Sequence, residues 1–195
     1  MKYLFVIAMK KEANDLINYY KLNKVDDNYY KKDNIELIIT DISRNGITTS
    51  LINLMYKYSI NYKDYVMINV GMVGSNNLKV GSVLMVENSY GYNFDLTPFG
   101  DKLYHAPNSP FKMNKVDNIS KVDCYTSDGF VTKTDIKKDV IFDMELNAIV
   151  NFPFKKYYSI KIVSDSLSSN EYNNFNYYDT KKDIFYITDK IIQDK

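Results

Sequence analysis

Residues 2–20 read KYLFVIAMKKEANDLINYY, and their periodicity changes part-way along. The first half is a continuous apolar run, the pattern of a buried strand. The second half spaces Ala13, Leu16, Ile17 and Tyr20 at i, i+3, i+4 and i+7, one face of an amphipathic helix. A strand running straight into a helix is the opening of a parallel crossover unit, and the pattern repeats. IELIIT (35–40) is a second strand. Ile47, Leu51, Leu54, Met55 and Tyr58 mark one face of a second helix, and DYVMINVG (64–71) is a third strand that ends in glycine. VGSVLMVENSY (80–90) and YYSIKIVS (157–164) add two more strands, and helices are predicted over 144–152 and 183–193. The fold class is therefore α/β, with a mostly parallel sheet and crossover helices.

A chain of 195 residues with 45% hydrophobic and 25% charged side chains suits one domain with a sizeable core. Its 25 basic and 24 acidic residues leave a formal charge of +1, so no global field draws it to nucleic acid or to an anionic membrane. Cys124 is the only cysteine and His105 the only histidine, which disfavours a disulfide framework and a Cys/His metal site and fits a reducing cytoplasm. The stretch YLFVIAM is too short for a signal sequence or a membrane span. Prolines 98, 107 and 110 punctuate a long irregular stretch over 93–121, a length usually reserved for functional or mobile loops.

Acidic residues recur at element ends: Glu12 after the first strand, Asp143 and Glu145 in FDMELNAIV, and Asp165 where SIKIVS runs out. In open α/β sheets ligands gather at the carboxyl ends of strands, so Asp165 is a candidate acid. It is equally a candidate N-cap for a following helix, and Glu12 and Glu145 suit the first turns of theirs.

Six segments taken together narrow these readings. IAMKKEA (7–13), INVGMVGS with LKVG (68–81), FDLTPFG (94–100), SDGFV (127–131), DMELNAI (143–149) and IVSD (162–165) resemble, in order, the motifs of the 5′-methylthioadenosine/S-adenosylhomocysteine nucleosidases. That family lies in the nucleoside phosphorylase superfamily. The resemblance covers nearly the whole chain and implies a central mixed, partly closed β-sheet flanked by helices, with no cofactor. It implies a small-molecule nucleoside as substrate and a homodimer as the working form.

Residue by residue, the resemblance makes Asp165 the acid at the purine N7 and Glu12 the base that activates water. Glu145 would hold the ribose hydroxyls, with Met144 packed on the sugar. Phe130 would stack on the purine and Val131 would address its edge through the backbone. Leu96, Phe99 and Phe175 would surround the 5′ substituent, the first two reaching across from the other subunit. Four positions depart from the pattern: Met72 replaces a serine beside the ribose, Lys161 an arginine, Asn45 an apolar residue of the 5′ pocket and Asp101 a tyrosine.

Cleaving an N-glycosidic bond leaves positive charge on the ribose and negative charge on the purine. One carboxyl must therefore donate a proton while another activates a nucleophile. A phosphorylase of the same fold and a silent purine-binding protein are the alternative readings. The first is disfavoured because Arg44 is the only arginine available to grip a phosphate.

Overall fold

β1 (Lys2–Ile7) lies between two parallel neighbours, β4 (Ile35–Ile39) and β5 (Tyr65–Ser75), and both of its faces are covered. That is why its sequence is apolar without alternation: Leu4 and Val6 enter one core, and Tyr3, Phe5 and Ile7 the other. The first core is closed by α2 (Arg44–Tyr58), through Ile47, Leu51 and Leu54, and by α3 (Leu146–Ile149). The second is closed by α1 (Lys10–Tyr19), through Ala13 and Leu16, and by α5 (Lys181–Gln193), through Ile184, Ile187 and Ile191. The computed structural model describes residues 1–106 and 108–193.

Among the described residues the sheet contains ten strands. On the β1 side it continues through β4 to a hairpin of β3 (Tyr29–Lys32) and β2 (Asn23–Asp26). On the other side β5 pairs in parallel with β10 (Lys156–Asp165), and β10 pairs antiparallel with β6 (Val83–Gly91). β6 runs parallel to β8 (Lys121–Thr126), which runs parallel to β9 (Val140–Asp143). β9 then returns to the end of β5 through Gly74 and Ser75, so β5, β10, β6, β8 and β9 form a closed ring. β7 (Phe111–Lys112) adds a short pairing on β6. The mixed, partly closed sheet implied by the resemblance is the one observed.

Several elements differ from the sequence expectation. The β2–β3 hairpin was not anticipated, because Lys24, Val25 and Asp26 give it a charged, largely solvent-facing edge rather than an apolar run. β8 was missed for its polar content and β9 for its brevity. The helix expected over 144–152 is only Leu146–Ile149, with Met144 and Glu145 ahead of it. Pro153 three residues past its C-cap, Val150, discourages extension. The segment over 93–121 is largely irregular as expected, apart from a 3₁₀ turn at Thr97–Phe99 and β7; Pro107 lies outside the described residues. No helix among the described residues is long and apolar enough to cross a membrane.

β5 touches both cores and three neighbouring strands, so its packing should govern stability. Ile68→Ala, at a fully buried position, should cost about 2–5 kcal/mol in urea unfolding. A cost under about 1 kcal/mol would mean that β5 is not the shared wall described here.

Candidate active site

The strands converge on one cavity of about 210 Å³. Its wall includes Met9 and Glu12 from the start of α1, Gly71–Gly74 of β5, and Phe130 and Val131 beyond β8. Asp143, Met144 and Glu145 close it after β9, and Lys161 and Asp165 come from β10.

Glu12 is the third residue of α1, and its carboxylate folds back over its own helix. One oxygen accepts the Met9 N–H at 3.2 Å and the other the Met72 N–H at 2.9 Å. The group is therefore bolted to both β5 and the α1 N-terminus. Burial pushes its pKa up to about 7, with the Met72 N–H pulling the other way and the Glu145 charge adding to the rise.

Asp165 owes its position to a bulge. The register of β10 against β5 slips between Val163 and Asp165, interrupting the strand's alternation where the carboxyl turns into the cavity. Ser164 Oγ donates to one oxygen at 2.9 Å and the Ser168 N–H to the other at 3.1 Å. Burial raises its pKa despite these donors. The capping alternative is resolved in favour of a neighbour: the N-cap of α4 (Ser169–Asn174) is Ser168, whose hydroxyl accepts the Glu171 N–H. Gly74 makes room for the acid, since a Cβ there would stand 2.8 Å from Asp165 Oδ1.

Glu145 accepts the Ser43 N–H and the Met144 N–H, each at 3.2 Å. Burial, helped by the Asp143 charge, raises its pKa. Beneath it lies a fully buried ion pair, Lys161 Nζ to Asp143 Oδ2 at 2.7 Å. Burial alone would raise the Asp143 carboxyl, but Lys161, the Thr126 hydroxyl and the Leu146 N–H together hold it below its ordinary value. Burial likewise opposes the Lys161 charge, and Asp143 outweighs it.

Of the residues singled out from sequence, Glu12, Met72, Phe130, Val131, Met144, Glu145 and Asp165 all line this cavity. Leu96, Phe99 and Phe175 do not. Leu96 and Phe99 flank the 3₁₀ turn, where Phe99 is 83% exposed. Phe175 packs at the end of α4 against the second core and lines a separate groove with Val80 and Asn176. Asn45 is exposed, and Ile42 takes a place on the cavity wall instead.

The pairing of Asp143 with Lys161 was not foreseen, although a lysine inside the apolar strand SIKIVS demands a buried counter-charge. Tyr172 was missed altogether. It also lines the cavity, from a polar stretch without periodicity.

No family model matches the chain. A curated 5′-methylthioadenosine/S-adenosylhomocysteine nucleosidase of Buchnera aphidicola is 27% identical, over 89% of this chain and 81% of that protein. By sequence and by fold, the chain is similar to the MTA/SAH nucleosidases. The Streptococcus pneumoniae MTA/SAH nucleosidase, solved with 8-aminoadenine, superposes with a TM-score of 0.77 at 19% identity, covering 93% of this chain and 95% of that one. The Helicobacter pylori enzyme also gives 0.77, at 15% identity over 97% and 98% of the two chains. The family resemblance read from the six motifs is thus borne out.

Two consequences can be measured. Gly74→Ala must displace the Asp165 carboxyl or the strand beside it. Turnover should fall about 100-fold, the scale of a misplacement near 1 Å, with the circular-dichroism spectrum unchanged; normal turnover would show that Asp165 does not need this position. Lys161→Met should cost about 3–5 kcal/mol in chemical denaturation by stranding Asp143, and adding Asp143→Asn should recover more than half of that loss. No recovery in the double variant would contradict the pairing.

Proposed function

We propose that this chain hydrolyses the N-glycosidic bond of 5′-substituted adenine nucleosides, releasing adenine and a 5-substituted ribose. The observation that carries the reading is the pair of buried carboxyl groups, Glu12 and Asp165, on the wall of one cavity, each held by backbone donors and each with a raised pKa. Asp165 in its protonated form donates to N7 as the bond from C1′ to N9 breaks. Glu12 in its ionised form takes a proton from the water that adds to C1′. Glu145 accepts the ribose hydroxyls, and those bonds strengthen as the ring becomes cationic. Phe130 and Val131 take the purine, while Met72 and Met144 pack on the sugar.

Water as the acceptor is supported by the charge of the site. Glu12, Asp143, Glu145 and Asp165 line it against a single cation, Lys161, which Asp143 already holds. The sole arginine is committed elsewhere: Arg44 donates to the Thr126 carbonyl at 2.8 Å and pairs with Asp128 at 3.1 Å. A phosphate dianion would meet carboxylates rather than a fork of donors.

A homodimer belongs to the same proposal. Leu96 and Phe99 stay outside the cavity of their own chain, and Phe99 is exposed, as expected of residues that complete the 5′ pocket of a second copy. The proposed setting is the cytoplasm, in keeping with the free thiol of Cys124.

Chromatography of adenine released from methylthioadenosine, S-adenosylhomocysteine and 5′-deoxyadenosine tests the reading. Release should be as fast without phosphate as with it, and Asp165→Asn should lower kcat by about 10²–10⁴. Release that requires phosphate would favour a phosphorylase, and no release from any of the three would favour a silent purine-binding protein. The profile of kcat/KM against pH should fall below about pH 7 as Glu12 takes up its proton. An acid limb unchanged in any residual activity of Glu12→Gln would remove Glu12 from the role of base.

A further inference from the structure

None of the six motifs includes Tyr172, which lies in the polar stretch SSNEYNN (168–174). α4, its helix, has no fully buried residue, yet the phenol ring reaches the cavity and is held there from three directions. It meets Phe130 edge to face, with ring centroids 6.0 Å apart and planes at 70°. Its hydroxyl lies 3.6 Å from Met9 Sδ. Lys11 Nζ donates to the hydroxyl at 3.3 Å and stands 4.6 Å from the ring centroid. A tyrosine held in this way is not a free surface side chain.

We propose, building on the adenine nucleoside reading above, that Tyr172 is a specificity-determining residue of the base subsite. A flat heterocycle stacked parallel to Phe130 is steeply inclined to the Tyr172 ring, so the two can meet edge to face. That is one of the favoured geometries for two aromatic systems. The wall is also tied to the acid. Asp165 accepts the Ser168 N–H, and Ser168 caps the helix that carries Tyr172, so Ser168 links the proton donor to the second aromatic wall. Lys11, one residue before Glu12, ties that wall to α1. Aromatic bases should therefore be selected by two rings, only one of which belongs to a motif of the family.

Tyr172→Ala and Tyr172→Phe test this, through calorimetric titration with adenine and separate measurement of kcat and KM. Tyr172→Ala should weaken adenine binding and raise KM together, by about 3- to 30-fold, with kcat within about threefold. Tyr172→Phe, which keeps the ring, should restore both to within about threefold of wild type. Wild-type adenine affinity in Tyr172→Ala would overturn the proposal. So would a fall in kcat at constant KM, which would reduce Tyr172 to a prop for Asp165. If the wild-type protein neither binds nor releases adenine, the nucleoside reading itself fails and takes this inference with it. Binding by the wild type that is unmoved in Tyr172→Ala overturns this inference alone.

Discussion

The long parallel pairing of β5 with β10 is the contact on which the rest of the molecule depends. It closes the ring of five strands and sets Gly71–Gly74 against Lys161–Asp165. The bulge at the end of that ladder turns the Asp165 carboxyl inward, and the missing Cβ of Gly74 gives it space. On its other edge β5 pairs with β1, which leads straight into the helix carrying Glu12, and the Met72 N–H pins that carboxylate back onto β5. One strand thus holds the Glu12 carboxylate through its own backbone and, through its ladder with β10, the strand end that carries Asp165.

Burial then does chemical work that the same residues could not do at the surface. It raises the Glu12 pKa to about 7, where a base is partly ionised at neutral pH and still avid for a proton. It raises Asp165 as well, favouring the protonated form that an acid needs. The same shifts tax the fold. A carboxyl whose folded pKa exceeds its unfolded value contributes stability below the unfolded pKa and loses it as pH rises through the folded one, so Glu12 weakens the native state above about pH 7. The Asp143–Lys161 pair answers that tension by putting a compensated cation among the acids.

Much of this was legible in the chain before any coordinates. Strands covered on both faces read as plain apolar runs, so β1, β4, β5 and β10 stood out, as did the amphipathic spacing of α1 and α2. The motifs also marked Glu12, Glu145 and Asp165, which the fold brings to one cavity. What stayed hidden depends on partners distant in sequence. β2 and β3 form a polar edge with no periodic signal, and the pairing of Asp143 with Lys161 spans 18 residues. Tyr172 is one of 19 tyrosines in the chain, and only its position opposite Phe130 distinguishes it. Phe175 illustrates the reverse: a motif-relative position carried it to the 5′ pocket, whereas the fold packs it against the core.

In the proposed reaction water, activated by Glu12, attacks C1′ while Asp165 protonates the departing base. Mass spectrometry of the sugar produced in oxygen-18 water at the earliest measurable time tests it most directly. One oxygen-18 atom is expected in the newly formed sugar at C1, beyond the slow exchange of a pre-made sugar control, with no phosphorylated sugar even in phosphate buffer. Sugar 1-phosphate carrying no label would contradict it.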